Sequence, residues 1–211
     1  PDPYLTSLGT KKTNVKTKRY IRNALKHISK KPTAIFAIIS ISVGHIAMVA
    51  IMVMTPVHMA HVEVTLRIIG LVISVHVLGM YAFSPLIGEL SDRIGRMKTI
   101  QIGLLILLIS AVVAGGAKAS DVPRLGIGLF LLGLGWSCTL IAGSSLLSSA
   151  VDPEMKTPAQ GASDLIMNLN GAVGGAIAGV IISTLTYGWL CFFAAIPVVS
   201  LAIWSLKLRN V

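Results

Sequence analysis

The sequence predicts an all-α, polytopic membrane protein built from six transmembrane helices, and three observations carry that reading. Of 211 residues, 54% are hydrophobic and only 12% are charged. Soluble domains carry about 25% charged residues, so this chain cannot clothe itself in polar surface in water. Six apolar stretches reach the ~20 residues that a helix needs to cross the hydrocarbon core. Finally, the positive charge alternates along the chain. Fifteen of the eighteen Lys and Arg fall on the N-terminal segment, the second and fourth connections and the C-terminal end, while Arg67, Lys118 and Arg124 fall on the alternate set.

Basic residues concentrate on the cytoplasmic side because of insertion energetics. The alternation therefore predicts a multi-pass protein of the cell (plasma or inner) membrane with both termini cytoplasmic. It also turns the net charge of +10 away from a nucleic-acid partner, whose phosphates need cations gathered on one surface.

Residues 1–32 are polar and basic. Ile21, Leu25 and Ile28 recur at helical spacing among Lys18, Arg19, Arg22, Lys26, Lys30 and Lys31. That pattern reads equally as a short amphipathic helix on an anionic leaflet or as a solvated linker. The opening at Pro1, without Met or signal peptide, suggests a fragment.

The spans are expected at 34–57, 67–90, 99–117, 123–149, 160–185 and 188–206. They divide the chain into a cytoplasmic linker (1–32), a six-helix bundle (33–207) and a cytoplasmic tail (208–211). In lipid each backbone amide must be paired within its own segment, so the spans are helices and not strands. Thr186-Tyr187-Gly188 barely turns the chain and should fold the last two helices into an antiparallel hairpin. In the fifth span Thr157 is suited to cap, Pro158 to the first helical position and Gln160 to complete a capping box. Gly171, Gly175 and Gly179, with Gly174 beside them, make small-xxx-small steps that let a neighbouring helix approach closely. The fourth span offers Gly126, Gly128, Gly133, Gly135 and Gly143 for the same use. Close packing is the preferred reading of these glycines over a sliding surface.

One connection carries more than apolarity. Gly88-Glu-Leu-Ser-Asp92-Arg93-Ile-Gly95-Arg96-Met-Lys98 packs two glycines, two acids and three bases around the connection between two spans. Gly88 is expected to end a helix where a side chain would hold a neighbour away, and Gly95 to supply the backbone angles of a tight turn. Asp92 is placed to accept hydrogen bonds from backbone amides at a helix end. Arg93 and Arg96 can pair with acids or phosphates. Charge bias explains the arginines, but not glycines at fixed distances from Asp92.

The spacing Gly-x-x-x-Asp-Arg-x-Gly-Arg resembles the signature loop of the major facilitator superfamily of membrane transporters. It departs in one respect, with Met97 where a second basic residue usually follows. Pro1-Asp2-Pro3-Tyr4-Leu5 is similar to the segment that often follows the sixth helix in such proteins. The resemblance covers nearly the whole chain and implies the C-terminal half of a twelve-helix transporter, whose N-terminal half is the expected partner. It implies secondary active transport of a small molecule coupled to protons, in the direction of drug or metabolite efflux, with the loop holding one conformational state. The alternative is a six-helix membrane scaffold, or a degenerate half, that transports nothing.

Ionisable groups inside a membrane are costly and are functional candidates by default. His45 and His76 lie midway along the first and second spans and can change charge near neutral pH; the plainer reading of each is a neutral, hydrogen-bonded imidazole. Asp164 is expected about one turn into the fifth helix, either as a proton carrier or as a stabiliser of that helix N-terminus. Asn168, one turn deeper, offers hydrogen bonds to substrate or to another helix. Trp136 reads as a cavity wall or a packing residue, and Gln101 as an interfacial residue. His58 and His61 are expected to be wet, at the external end of the first span.

Cys138 and Cys191, both in apolar runs, read as buried hydrophobes, and no cofactor or metal is expected. An enzyme is disfavoured. Gly143-Ser144-Ser145 suggests a serine nucleophile, but every histidine precedes Ser144, unlike a rhomboid-like protease. Gly115-Gly116-Ala117-Lys118-Ala119-Ser120 has the wrong glycine spacing for a phosphate loop.

Overall fold

In the computed structural model, residues 23, 25–62 and 64–208 are described. Seven long helices follow one another: α1 (Pro32–Ala60), α2 (Leu66–Tyr81), α3 (Ser84–Ile94), α4 (Arg96–Gly115), α5 (Val122–Ala150), α6 (Lys156–Thr184) and α7 (Tyr187–Leu208). A 3₁₀ turn, Pro153–Met155, leads into α6. With α2 and α3 taken together, six helical segments among the described residues are long and apolar enough to cross a membrane. At 1.5 Å per residue, a helix of 20 residues already spans the ~30 Å hydrocarbon core. The second span is broken at Ala82–Phe83 because Pro85 has no N–H to continue the helical ladder. The Ser84 hydroxyl donates to the Met80 carbonyl beside the break, at 3.2 Å.

Contacts between distant residues fix which helix ends lie together. Phe36 and Trp204 meet edge-to-face at 5.2 Å, and the Gln101 amide donates to Ser205 at 3.3 Å. The starts of α1 and α4 therefore share one end of the bundle with the end of α7. Gln101, partly exposed near that end, ties two helices together. At the opposite end the Tyr187 hydroxyl lies 2.8 Å from the Thr55 hydroxyl.

α5 is the central post, packed by α1, α2 and α4, and its crossings are made by glycine. A β-carbon built at Gly133 would stand 2.9 Å from Met80 N and 3.1 Å from Gly79 C. At Gly135 it would stand 2.9 Å from Gly103 O, and at Gly143 2.7 Å from Ile41 Cγ1. The reciprocal glycines, Gly79, Gly103 and Gly44, sit on α2, α4 and α1. Gly126, by contrast, faces open space. The short link before α7 does reverse the chain, yet α6 packs chiefly on α1, and α7 on α4 and α1.

The expected cap of α6 is not the one formed. The helix begins at Lys156 after the 3₁₀ turn, without a side-chain cap. Thr157 and Pro158 are therefore already inside its first turn, where a missing N–H costs nothing. Gln160 instead donates to Ser144 O (3.1 Å) and Ser148 Oγ (3.2 Å) of α5.

The basic segment docks where it enters the bundle. Ile28 is buried with Ala34, Ile38, Leu147, Val151 and Ala159, whereas Leu25 is exposed. Ile21 and the Pro1–Leu5 motif lie outside the described residues. Lys31 Nζ meets Asp152 Oδ1 at 3.0 Å, and His27 Nε2 meets Oδ2 at 3.2 Å. The Lys31 hydrogen bond, aided by the charges of Lys31 and His27, holds the Asp152 carboxyl below the usual carboxylate range. A group depressed in this way contributes above its unfolded pKa and loses that contribution as pH falls through its folded value. Hydrogen exchange should therefore show amides 25–31 losing protection below about pH 4. Asp152→Asn should weaken that protection at neutral pH and abolish the acid step. The effect is small, because the pair faces solvent.

Candidate functional site

The signature turn is built from Gly95 outward. Its φ of +93° and ψ of 149° join α3 to α4 in a conformation that only glycine adopts without strain. Its N–H bonds Ser91 O, and Thr99 donates back to its carbonyl at 3.1 Å. Arg93 pairs with Glu89, one turn earlier on the same helix. Asp92 is exposed and accepts no hydrogen bond among the described residues, so it caps no amide of this bundle. Gly88 does not end a helix. It lies within α3, and a β-carbon there would meet nothing within 4 Å. The turn is thus locally complete, while Gly88 and Asp92 have no counterpart within this bundle.

At membrane depth the candidates separate. His76 is fully buried, with Nδ1 2.8 Å from the Leu129 carbonyl of α5. A carbonyl only accepts, so Nδ1 carries the hydrogen. Nε2 is buried without a partner among the described residues. His45 is half-buried and accepts, at Nδ1, the Trp136 indole N–H at 3.1 Å. Trp136 is 6% exposed and packs edge-to-face on Tyr81, ring centroids 6.2 Å apart. Gly171 of α6 lies against the other side of the His45 ring, where a β-carbon would stand 2.6 Å from Cδ2. Residues of α1, α2, α5 and α6 therefore converge on one aromatic cluster. Tyr81 was not foreseen, since an aromatic at the end of an apolar run carries no signal of its own.

Asp164 and Asn168 are exposed on α6, and Asn168 donates to the Asp164 backbone carbonyl at 2.8 Å. Because α6 starts at Lys156, Asp164 sits about 12 Å along the helix. It lies beyond the free amides of the first turn, so it cannot serve as an N-terminal stabiliser. Of the expected glycine stripe, Gly171 is the tightest, and Gly174 beside it is also close, with a β-carbon 3.1 Å from Ile46 Cγ2. Gly175 makes an ordinary 3.4 Å contact with Val49, and Gly179 reaches only Met54 at 4.0 Å.

Only 11% of the apolar stretch of α6 and 28% of that of the second span are buried within the bundle, against 61% for α1 and α5. An apolar groove of about 440 Å³ runs between α2 and α5, lined by Leu71, Val75, Pro123, Ile127 and Phe130 among others. None of the candidate residues borders it. His58 is only partly exposed, its ring stacked on Tyr187 with centroids 4.4 Å apart; His61 is exposed. Cys138 and Cys191 are free and buried on α5 and α7. No group of three potential metal ligands occurs among the described residues.

The sequence profile of the Major Facilitator Superfamily matches residues 9–211. The chain belongs to this superfamily. It is similar to the uncharacterized MFS-type transporter YddS of Bacillus subtilis, at 36% identity over 93% of this chain and 45% of the relative. YdeG of the same organism, also an uncharacterized MFS-type transporter, is 37% identical over 86% of this chain and 43% of the relative. The riboflavin transporter RfnT of Brucella anthropi is 30% identical over 88% and 46%. The chain spans about half the length of the curated relatives it matches. It is a multi-pass membrane protein of a transporter family, not of an enzyme family.

Proposed function

We propose that this chain is the C-terminal six-helix half of a secondary active transporter, coupled to protons and moving a lipophilic drug or metabolite outward. In this reading residues 1–32 link it to an N-terminal half and 208–211 form the tail. One observation carries it: the two least covered helical spans present groups that, among the described residues, meet no other helix. Gly88 and Asp92 lie on α3, Asp164 and Asn168 on the exposed part of α6. An acid at membrane depth with no partner in its own bundle calls for a second bundle or a water-filled cavity. A face that meets another six-helix unit across a substrate cavity supplies both.

The end holding the Gly95 turn also holds Lys31, Arg93, Arg96, Lys98 and Lys156, which favours a cytoplasmic placement. A relative named as a riboflavin transporter and another named as a multidrug resistance protein make riboflavin and lipophilic cations the first substrates to try. The test is the full-length protein in proteoliposomes, with and without a pH gradient. Gradient-dependent movement of riboflavin or of a lipophilic cation, collapsed by a protonophore, is expected. A folded, correctly inserted protein that moves none of them would favour a scaffold instead.

A further inference from the structure

The hydrogen bond between His45 and Trp136 determines where a proton can sit. An indole nitrogen only donates, so His45 Nδ1, 3.1 Å from Trp136 Nε1, accepts and holds no hydrogen. The ring hydrogen of the neutral imidazole is therefore on Nε2. That nitrogen faces the space left by Gly171, where a β-carbon would stand 2.7 Å away. A second proton can bind only Nδ1, where it would point at the indole N–H. Two donors cannot share that contact.

We propose that His45 is a proton-binding group latched by Trp136. A proton arriving from water forms an N–H bond at Nδ1, the Trp136–His45 hydrogen bond breaks, and the indole moves. Loss of the same proton restores the bond. The indole packs on Tyr81, the last residue of α2, so its movement reaches the break at Ala82–Phe83 and the helix that leads into the Gly95 turn. In this way proton uptake at mid-membrane is joined to the element that carries Asp92.

Among the described residues no charged side chain intrudes on the latch. α5 presents Trp136 and α6 presents Gly171, with Asp164 seven residues earlier on α6 and exposed. α2 contributes Tyr81, while its His76 is tied to Leu129. Near this level α1, α6 and α7 meet through apolar groups such as Ile46, Gly174 and Ala194. The use of the latch rests on the transport reading; its test does not.

The test uses the full-length protein in lipid nanodiscs with neither substrate nor gradient. Ultraviolet resonance Raman reports the indole N–H of Trp136, isolated as the difference between wild type and Trp136→Phe. Lowering pH from roughly 8 to 5 should convert that signal from hydrogen-bonded to free in a single one-proton step. In His45→Gln the amide oxygen still accepts but binds no proton, so the indole should stay bonded throughout. Independently, ¹⁵N-histidine spectra, differenced against His45→Gln, should show the Nε2–H tautomer at the alkaline end. An indole signal indifferent to pH in wild type, the same change in His45→Gln, or the Nδ1–H tautomer would overturn the proposal. A failed transport assay leaves the latch standing, and a failed titration leaves the transport reading standing.

Discussion

Asp92→Asn in the full-length protein is expected to cut the initial rate of transport by about ten- to a hundredfold, with membrane insertion and abundance unchanged. The magnitude follows from losing one charge-assisted hydrogen bond, worth about 1.5–3 kcal/mol, from one of two conformational states. Within its own bundle Asp92 is exposed and holds nothing together, so the substitution removes no contact that the six helices need for folding. The expected partner is the N-terminal half proposed above. Arg93→Ala should be milder, because Arg93 already pairs with Glu89 on its own helix. Rates measured in proteoliposomes at matched protein density decide the matter. A mutant with ordinary rates would show that the turn is a charged connector and no more.

Gly133→Val is expected to damage folding itself. The α2–α5 crossing at Gly133 and Gly79 brings backbone against backbone, and backbone atoms cannot rotate away as a side chain can. Overpacking a core costs about 1–3 kcal/mol, and this site should lie at or beyond the upper end. In detergent, thermal unfolding should fall by several degrees or the protein should aggregate. Gly126→Val lies two turns earlier on the same helix, where a β-carbon would meet nothing within 4 Å. It should be nearly neutral. Equal losses from both would mean that glycine content, not the crossing, matters on α5.

These two sites show what is readable in a chain of this kind. The six spans were legible because the length and apolarity of each stretch are local properties. So was the Gly95 turn, where a positive φ demands the residue that is present. Legibility failed wherever the answer depended on a neighbour. Gly88 and Gly95 look equivalent in the loop, yet only Gly95 is required by the conformation of this chain. Gly171 and Gly179 look equivalent along α6, yet only Gly171 meets a side chain closely. Gly44, Gly79 and Gly103 were not singled out at all, because each is defined by its partner on α5. The start of α6 was misplaced because a 3₁₀ turn carries the chain into the helix at Lys156, and the side chain of Gln160 is held by Ser144 and Ser148 of α5, which no local pattern shows. Tyr81 joined the aromatic cluster for a similar reason, through contact with Trp136 alone.

The sequence by itself determined that this is a membrane-spanning helical protein of a transporter family, with six crossings and one glycine-hinged, charged turn. Tertiary structure alone decided that His45 meets Trp136 and Gly171, that His76 is tied to Leu129, and that Asp164 stays uncovered. The physical reason is the solvent. In water a helix advertises its buried side with an apolar stripe, but lipid is as apolar as the core. A spanning helix can therefore be hydrophobic all round, and its rotation about its own axis, which sets every one of these pairings, is fixed only when the helices pack.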